Sequence, residues 1–419
     1  MKESHATESP LLMKCLNHFI TVSFRRRVAF VGRLALLFLL GVLLFHCGDK
    51  EEKTTWRGPA RIGVVVPGNG PLQDEGEMLR LGTLMALEEA GGRVGDHQIE
   101  MIVYDSPCNG GGAIPVAEQI AADGSTSVVI GYLCPETIRA VLPIYRKAHL
   151  ALINPTVSAD YTRKDESRHL FPLLYGDGEQ GAFLAAYAKK GLELTRVAIF
   201  SDGSIFGNLL STFFIREANR LGLELVENIS GNPKPEEAAR AAEIFKRARP
   251  EAIFLAASPR AASLFLIEHR RHKVGGVILG PDHFADLDFY EMTGQASEGL
   301  FVCQPILLDR EDSEKSGFVW RFEQFSKRRP NWIAAAGYDS MRLALEVLSR
   351  SGPERTDFLR VMRKISVATK SFSGIGGPVF FKQDGTSQRP FFVAEIHNGR
   401  LRPAKPPTIE FPVALKGDR

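Results

Sequence analysis

A chain of 419 residues, 44% apolar and 24% charged, has ordinary globular composition and is long enough for two domains. Its net charge of +3 would suit a nucleic-acid partner, but residues 1–46 hold six basic side chains against two acidic ones, a local +4 that leaves about −1 for the rest. That remainder contains no basic block with interleaved aromatics, so a nucleic-acid partner is excluded.

The first predicted element is a leader over residues 1–46, followed by a tether over 47–59. Arg25-Arg26-Arg27 precedes twelve apolar residues, Leu34 to Phe45. Such a run suits a secretory signal and falls short of the roughly 20 residues that cross a bilayer as a helix. It stops at Cys47 and gives way to the polar stretch from Lys50 to Thr55, which resembles a lipoprotein signal whose cysteine is acylated. Phe45 and His46 stand where small residues are usual. A conventional export signal or an uncleaved anchor, with Cys47 incidental, is therefore the competing reading. Export follows from each signal reading.

Strand and helix then alternate. Arg61-Ile-Gly-Val-Val-Val-Pro67 is a buried strand, and residues 77–90 form a helix stopped by Gly91-Gly92. Strands at 99–104, 127–130 and 151–153 are separated by helices near 113–122 and 136–147. The rhythm repeats with strands at 196–200, 223–229, 251–256 and 276–279 and helices at 209–221, 236–247 and 260–269. An apolar strand at 299–303 follows, in which Cys303 reads as a small buried hydrophobe. Helices at 315–327, 333–349 and 355–365 lead to a hairpin-like pair, 378–381 and 390–396, and a proline-rich stretch that reads as a loose tail. Two successive βαβ units with no linker between them predict an α/β protein of two doubly wound parallel-sheet lobes. The later helices must return to one lobe, so the lobes are discontinuous and joined by a multi-crossover hinge.

The chemistry of common α/β enzymes is missing from the sequence. The turn after the first strand, Pro67-Gly-Asn-Gly-Pro71, has Gln73 where a dinucleotide fingerprint needs its third glycine. There is no Gly-Lys dipeptide for a phosphate loop, no His-Glu-x-x-His, no Cys-x-x-Cys and no nucleophile elbow. The expectation is a protein without metal, cofactor or catalytic activity.

An ordered series of short segments carries a resemblance. Asp105-Ser-Pro-Cys-Asn109, Val129-Ile-Gly-Tyr-Leu-Cys134, Ile153-Asn-Pro-Thr156, Ala198-Ile-Phe-Ser-Asp202 with Phe206-Gly207, Gly280-Pro-Asp282, Ala296-Ser-Glu-Gly-Leu300, Ala336-Gly-Tyr-Asp339 and Gly376-Gly-Pro-Val379 fall in the order of the branched-chain amino-acid-binding (Leu/Ile/Val-binding) family. The chain resembles that family over residues 61–402, which implies the type I periplasmic binding fold. The lobes would be 60–172 with 304–386 and 173–303 with 387–403, before a tail at 404–419. The implied function is an extracytoplasmic binding protein, in the periplasm or cell envelope. It would capture a small amino-acid-like ligand between its lobes and hand it to an ABC permease, held to the membrane by a lipid on Cys47. An envelope lipoprotein of the same fold that regulates or scaffolds another protein is the alternative.

The resemblance also implies site residues. Ser158 and Thr156 would hold a ligand's carboxylate from lobe one, and Asp282 its ammonium from lobe two; turn chemistry and a helix cap are the plainer readings of these positions. Phe206 would form an apolar wall. Pro135 stands where the family has a serine and offers neither hydroxyl nor N–H; Thr137, two residues on, is the candidate to compensate. Glu75 is either a second ligand-facing acid or a surface residue of a helix start, and the latter is the simpler reading. The family's cysteines imply a disulfide between Cys108 and Cys134, each of which follows a strand of the first lobe.

Overall fold

The first strand, β1 (Ala60–Val66), has no polar–apolar alternation and is buried along nearly its whole length, so both its faces must be covered. The computed structural model describes residues 59–158, 160, 168–231, 234–285, 287–308, 317–365, 371–382 and 385–411; the leader and Cys47 lie outside them. β1 runs parallel to β3 (His97–Asp105) on one side and β4 (Thr126–Gly131) on the other, with Val64 opposite both Val103 and Ile130. β5 (Ala151–Asn154) and β6 (Leu170–Pro172) extend the sheet, and the short β2 (Arg93–Val94) lies antiparallel at its edge, giving the order β2-β3-β1-β4-β5-β6. Helices α1 (Gln73–Glu89), α2 (Gly110–Ala122) and α3 (Pro135–Lys147) make the crossovers.

The second lobe repeats this winding. β7 (Arg196–Ser201) lies between β8 (Glu224–Ser230) and β9 (Ala252–Ala256), followed by β10 (Val277–Gly280) and β11 (Leu300–Gln304), all parallel. In each sheet the chain reverses direction of growth beside the first long strand, so the loops leaving strand ends on either side of that switch part and leave a crevice. Helices α4 (Asp177–Lys190), α5 (Ile205–Arg220), α6 (Pro235–Ala248), α7 (Pro259–Arg271) and α8 (Leu287–Thr293) belong to this half of the chain. The sequence pattern does not predict α4, because ten of its fourteen residues are buried and it lacks a polar face. Its Gly181 is required by packing: a Cβ there would stand 2.3 Å from the Leu210 carbonyl oxygen of α5.

Three helices then return to the first lobe: α9 (Phe318–Ser326), α10 (Trp332–Ser351) and α11 (Arg355–Ile365). α10 lies backbone to backbone on α1, with the site of a Gly82 Cβ only 2.0 Å from the Ala334 carbonyl oxygen. Leu79, Ala336, Met341 and Phe358 join Val64 in one core.

The hairpin expected between 378–381 and 390–396 is corrected by the structure. β13 (Gly377–Phe381) pairs with β12 (Phe372–Gly374) and the two-residue β14 (Ser387–Gln388), whereas β15 (Phe392–His397) crosses to pair antiparallel with β11 and with β16 (Arg400–Pro403). Pro390 has no N–H to continue a ladder, which ends β14 and frees the chain to change sheets. The stretch expected to be a loose tail is packed as far as Phe411. The Val393 N–H donates to the Pro407 carbonyl at 2.8 Å, Tyr187 Oη donates to the Pro406 carbonyl at 2.8 Å, and the Phe411 ring stands edge-on to Phe183 and Phe391. Prolines bring no N–H of their own to satisfy, so this segment can be covered at little polar cost.

Candidate ligand cleft

The lobe-one wall is assembled by a buried amide. β4 ends at Gly131, whose φ of 140° and a Cβ position 2.2 Å from the Val65 carbonyl oxygen admit only glycine. Tyr132 follows in the left-handed region at φ 61°, which turns its carbonyl towards Asn154 at the end of β5. Asn154 Nδ2 donates to the carbonyls of Gly131 and Tyr132 at 2.6 and 2.7 Å, and its Oδ1 accepts the Val157 N–H at 2.7 Å. One fully buried side chain thus clamps two exit loops. The Cys108–Cys134 disulfide, with Cα atoms 5.6 Å apart, ties the residue before α3 to the residue pair before α2. Cys303 is free and buried.

The lobe-two wall is pinned by Asp202. Its Oδ1 accepts the Ser204 hydroxyl at 2.6 Å and its Oδ2 the Ser258 N–H at 2.8 Å, fixing the start of α5 and with it Phe206. After β10, Asp282 opens a single 3-10 turn, Asp282–Ala285. Its N–H donates to Gln180 Oε1 on α4 at 3.0 Å, and its carboxylate faces the His283 ring at 3.3 Å. The Phe206 and His283 rings lie 4.6 Å apart.

These walls enclose about 320 Å³. Thr156, Ser158, Phe206 and Asp282 all line that space, together with Pro135 at the head of α3. Thr137 does not: it is buried beneath, its Oγ1 donating to the Cys134 carbonyl at 2.6 Å. Glu75 does not either; it lies in the first turn of α1 with Oε2 shielded and unbonded.

Six further lining residues escaped the sequence reading: the apolar Leu133, Val157 and Leu174, and Asp177, His283 and Trp332. Asp177 is the first residue of α4, the helix whose pattern is hidden by burial. Trp332 begins α10 behind the Asn331 cap, whose Oδ1 accepts the Ala334 N–H at 3.1 Å; an asparagine cap before a helix is a legible signal, but nothing in it shows that the ring faces a cleft. Asp177 is held by Ser158, whose Oγ accepts its N–H at 2.9 Å, and Asp160 Oδ2 accepts the next N–H, of Gly178, at 2.9 Å. Burial pushes the Asp177 carboxyl up to about 7; the charges of Asp282 and Asp160 add to the rise, while the Ser158 hydroxyl and His283 oppose it. Among the described residues no lysine or arginine lines the cleft. An arrangement of two carboxyls and two aromatic rings is suited to holding a small cation.

A family model for periplasmic binding proteins matches residues 59–400. Relatives include the leucine-, isoleucine-, valine-, threonine- and alanine-binding protein of Pseudomonas aeruginosa, 22% identical over 61% of this chain and 69% of the relative. The Leu/Ile/Val/Thr-binding protein of Salmonella typhimurium is 23% identical over 68% of this chain and 76% of its own. Among solved structures, a leucine-binding protein from Thermotoga maritima aligns with a TM-score of 0.66 at 22% identity, covering 82% of this chain and 97% of that one. A solute-binding protein from R. palustris in complex with benzoate aligns with a TM-score of 0.64 at 20% identity, covering 82% and 95%. One is named for leucine and the other holds benzoate, so the shared fold does not dictate the ligand. With the family model spanning both lobes and the two sheets wound alike, the chain belongs to the periplasmic binding-protein family.

Proposed function

We propose that this protein is an extracytoplasmic receptor that captures a small ammonium-bearing, amino-acid-like ligand between its lobes and delivers it to an ABC permease. The observation that carries the reading is the convergence of Asp282, from the end of β10, and Asp177, from the head of α4, on one cavity walled by Phe206 and Trp332. Closure of the lobes would exclude water and strengthen each charge pair. The names of the relatives support a transport role, and the leader supports export, with Cys47 as the lipid-bearing residue. Thermal-shift measurements with amino acids and related amines test it, since a ligand at a hundredfold excess over its Kd stabilises by about 2.7 kcal/mol. An envelope regulator or scaffold would show no shift with any of them. For the anchor, Cys47→Ala should release the protein from membranes; unchanged membrane association would remove the lipid from the account.

A further inference from the structure

The lobe-one wall carries a statement about the ligand's charge that rests on the receptor reading and sharpens it. Recognition of a free carboxylate there would need hydroxyl or N–H donors. Thr137 Oγ1 is spent on the Cys134 carbonyl and Thr156 Oγ1 points to the Tyr132 carbonyl at 3.4 Å. The Ser158 oxygen accepts two backbone N–H groups, from Asp160 at 3.3 Å and Asp177 at 2.9 Å. Pro135 occupies the first position of α3, where its missing N–H removes one donor from the helix end.

Among the described residues, the side chains of fixed charge on the walls are all acidic. Asp177 and Asp282 line the cavity, and Asp160 sits behind Asp177 on the Gly178 N–H. Among the described lining residues the one basic ring, His283, already faces Asp282. Gln180, whose Oε1 is held by the Asp282 N–H, keeps a buried Nε2 without an acceptor beside this pair, a neutral donor suited to an uncharged oxygen. A zwitterion would bring its anionic end against two carboxyls with no lysine or arginine among the described lining residues to meet it, and like charges brought together in a desolvated site repel strongly.

We propose that the cleft selects a cationic amine whose carboxylate is absent or masked (an alkylamine, a diamine or an amino-acid amide) over the corresponding free amino acid. Calorimetric titration with matched compounds decides this: leucine, leucinamide and isopentylamine as one set, lysine and cadaverine as another. The amide or amine of at least one set is expected to bind about tenfold or more tightly than its parent acid, a difference of about 1.4 kcal/mol. Asp177→Asn and Asp282→Asn should each shrink that preference. If the free amino acids bind as tightly as their amides and amines, the charge selection is wrong and the receptor reading stands. If neither these compounds nor the common amino acids bind at all, the receptor reading itself fails.

Discussion

The backbone N–H of Asp177 donates to Ser158 Oγ at 2.9 Å, and the nearby hydroxyl opposes the rise of the Asp177 pKa. This contact joins the exit loop of β5 to the head of α4, so it fixes both the first crossover between lobes and the position of one cleft acid. Ser158→Ala removes the hydroxyl acceptor from a helix start and should cost about 1–2 kcal/mol of stability. It should also raise the Asp177 pKa further, because the hydroxyl opposes the shift. Denaturant titration and NMR titration of the Asp177 carboxyl measure the two effects; an unchanged pKa would show that the hydroxyl faces elsewhere.

Asp177 gives the unliganded protein a pH dependence of defined sign. Its folded pKa of about 7 lies above the ordinary 3.8, so between these values the native state keeps a proton that the unfolded chain has lost. Stability therefore falls as pH rises from about 4 to about 7 and levels off above, by an amount on the order of 4 kcal/mol at most. Asp339, buried on α10 and pushed up to about 6, acts in the same sense. Asp123 acts oppositely, since hydrogen bonds from Ser125 hold it at about 2 and its contribution is lost only as pH falls below about 4. Unfolding curves at pH 5 and pH 8 should show the protein weaker at pH 8, and Asp177→Asn should flatten the difference. A bound ammonium should reverse the trend for affinity, with binding tightening towards pH 8 and releasing a proton near pH 6.

The disulfide makes a separable prediction. Cys108 and Cys134 are 26 residues apart in sequence, and opening a loop of that size costs about 3–4 kcal/mol in the chain-entropy model. Reduction, or the double change to serine, should lower the thermal midpoint while leaving the Asp177–Asp282 pair in place. Thiol labelling of the unreduced, denatured protein should modify Cys303 in the folded body and spare Cys108 and Cys134. Labelling of Cys108 under those conditions would contradict the bridge.

What was legible in the sequence follows from how each element is buried. β1 and β7, covered on both faces, read as unbroken apolar runs, and α6, with a mixed polar and apolar pattern, read as a helix. α4 did not, because it is wedged against α5 and shows neither period nor polar face, and with it Asp177 went unseen. The 390–396 run read as one strand of a hairpin because an apolar run says nothing about which sheet receives it; Pro390, which ends the β14 ladder, lets the chain cross to β11. Within the cleft, Thr156, Ser158, Phe206 and Asp282 came from the family resemblance, through short segments at the ends of predicted strands. Trp332 was not, since it arrives from a helix some 50 residues downstream of Asp282.

The last prediction separates the two acids. If an ammonium sits between Asp177 and Asp282, losing one carboxylate leaves it the other, and the two should not contribute independently. Removing one partner of a buried pair costs about 3–5 kcal/mol when nothing replaces it, or two to three orders of magnitude or more in affinity. Asp282→Asn should come nearer that loss than Asp177→Asn, because at pH 6 the carboxyl it leaves behind, that of Asp177, is largely neutral. Asp177→Asn should cost less at pH 6, where much of the carboxyl is already neutral, and more at pH 8. The double variant should lose more than the product of the single losses, because each single variant keeps one acid for the ammonium and the double variant keeps none. Calorimetry on the four proteins with the tightest amine at both pH values measures this. Equal losses for Asp177→Asn at pH 6 and pH 8 would show that its carboxyl does not titrate against the ligand, and full binding by Asp282→Asn would place the ammonium elsewhere.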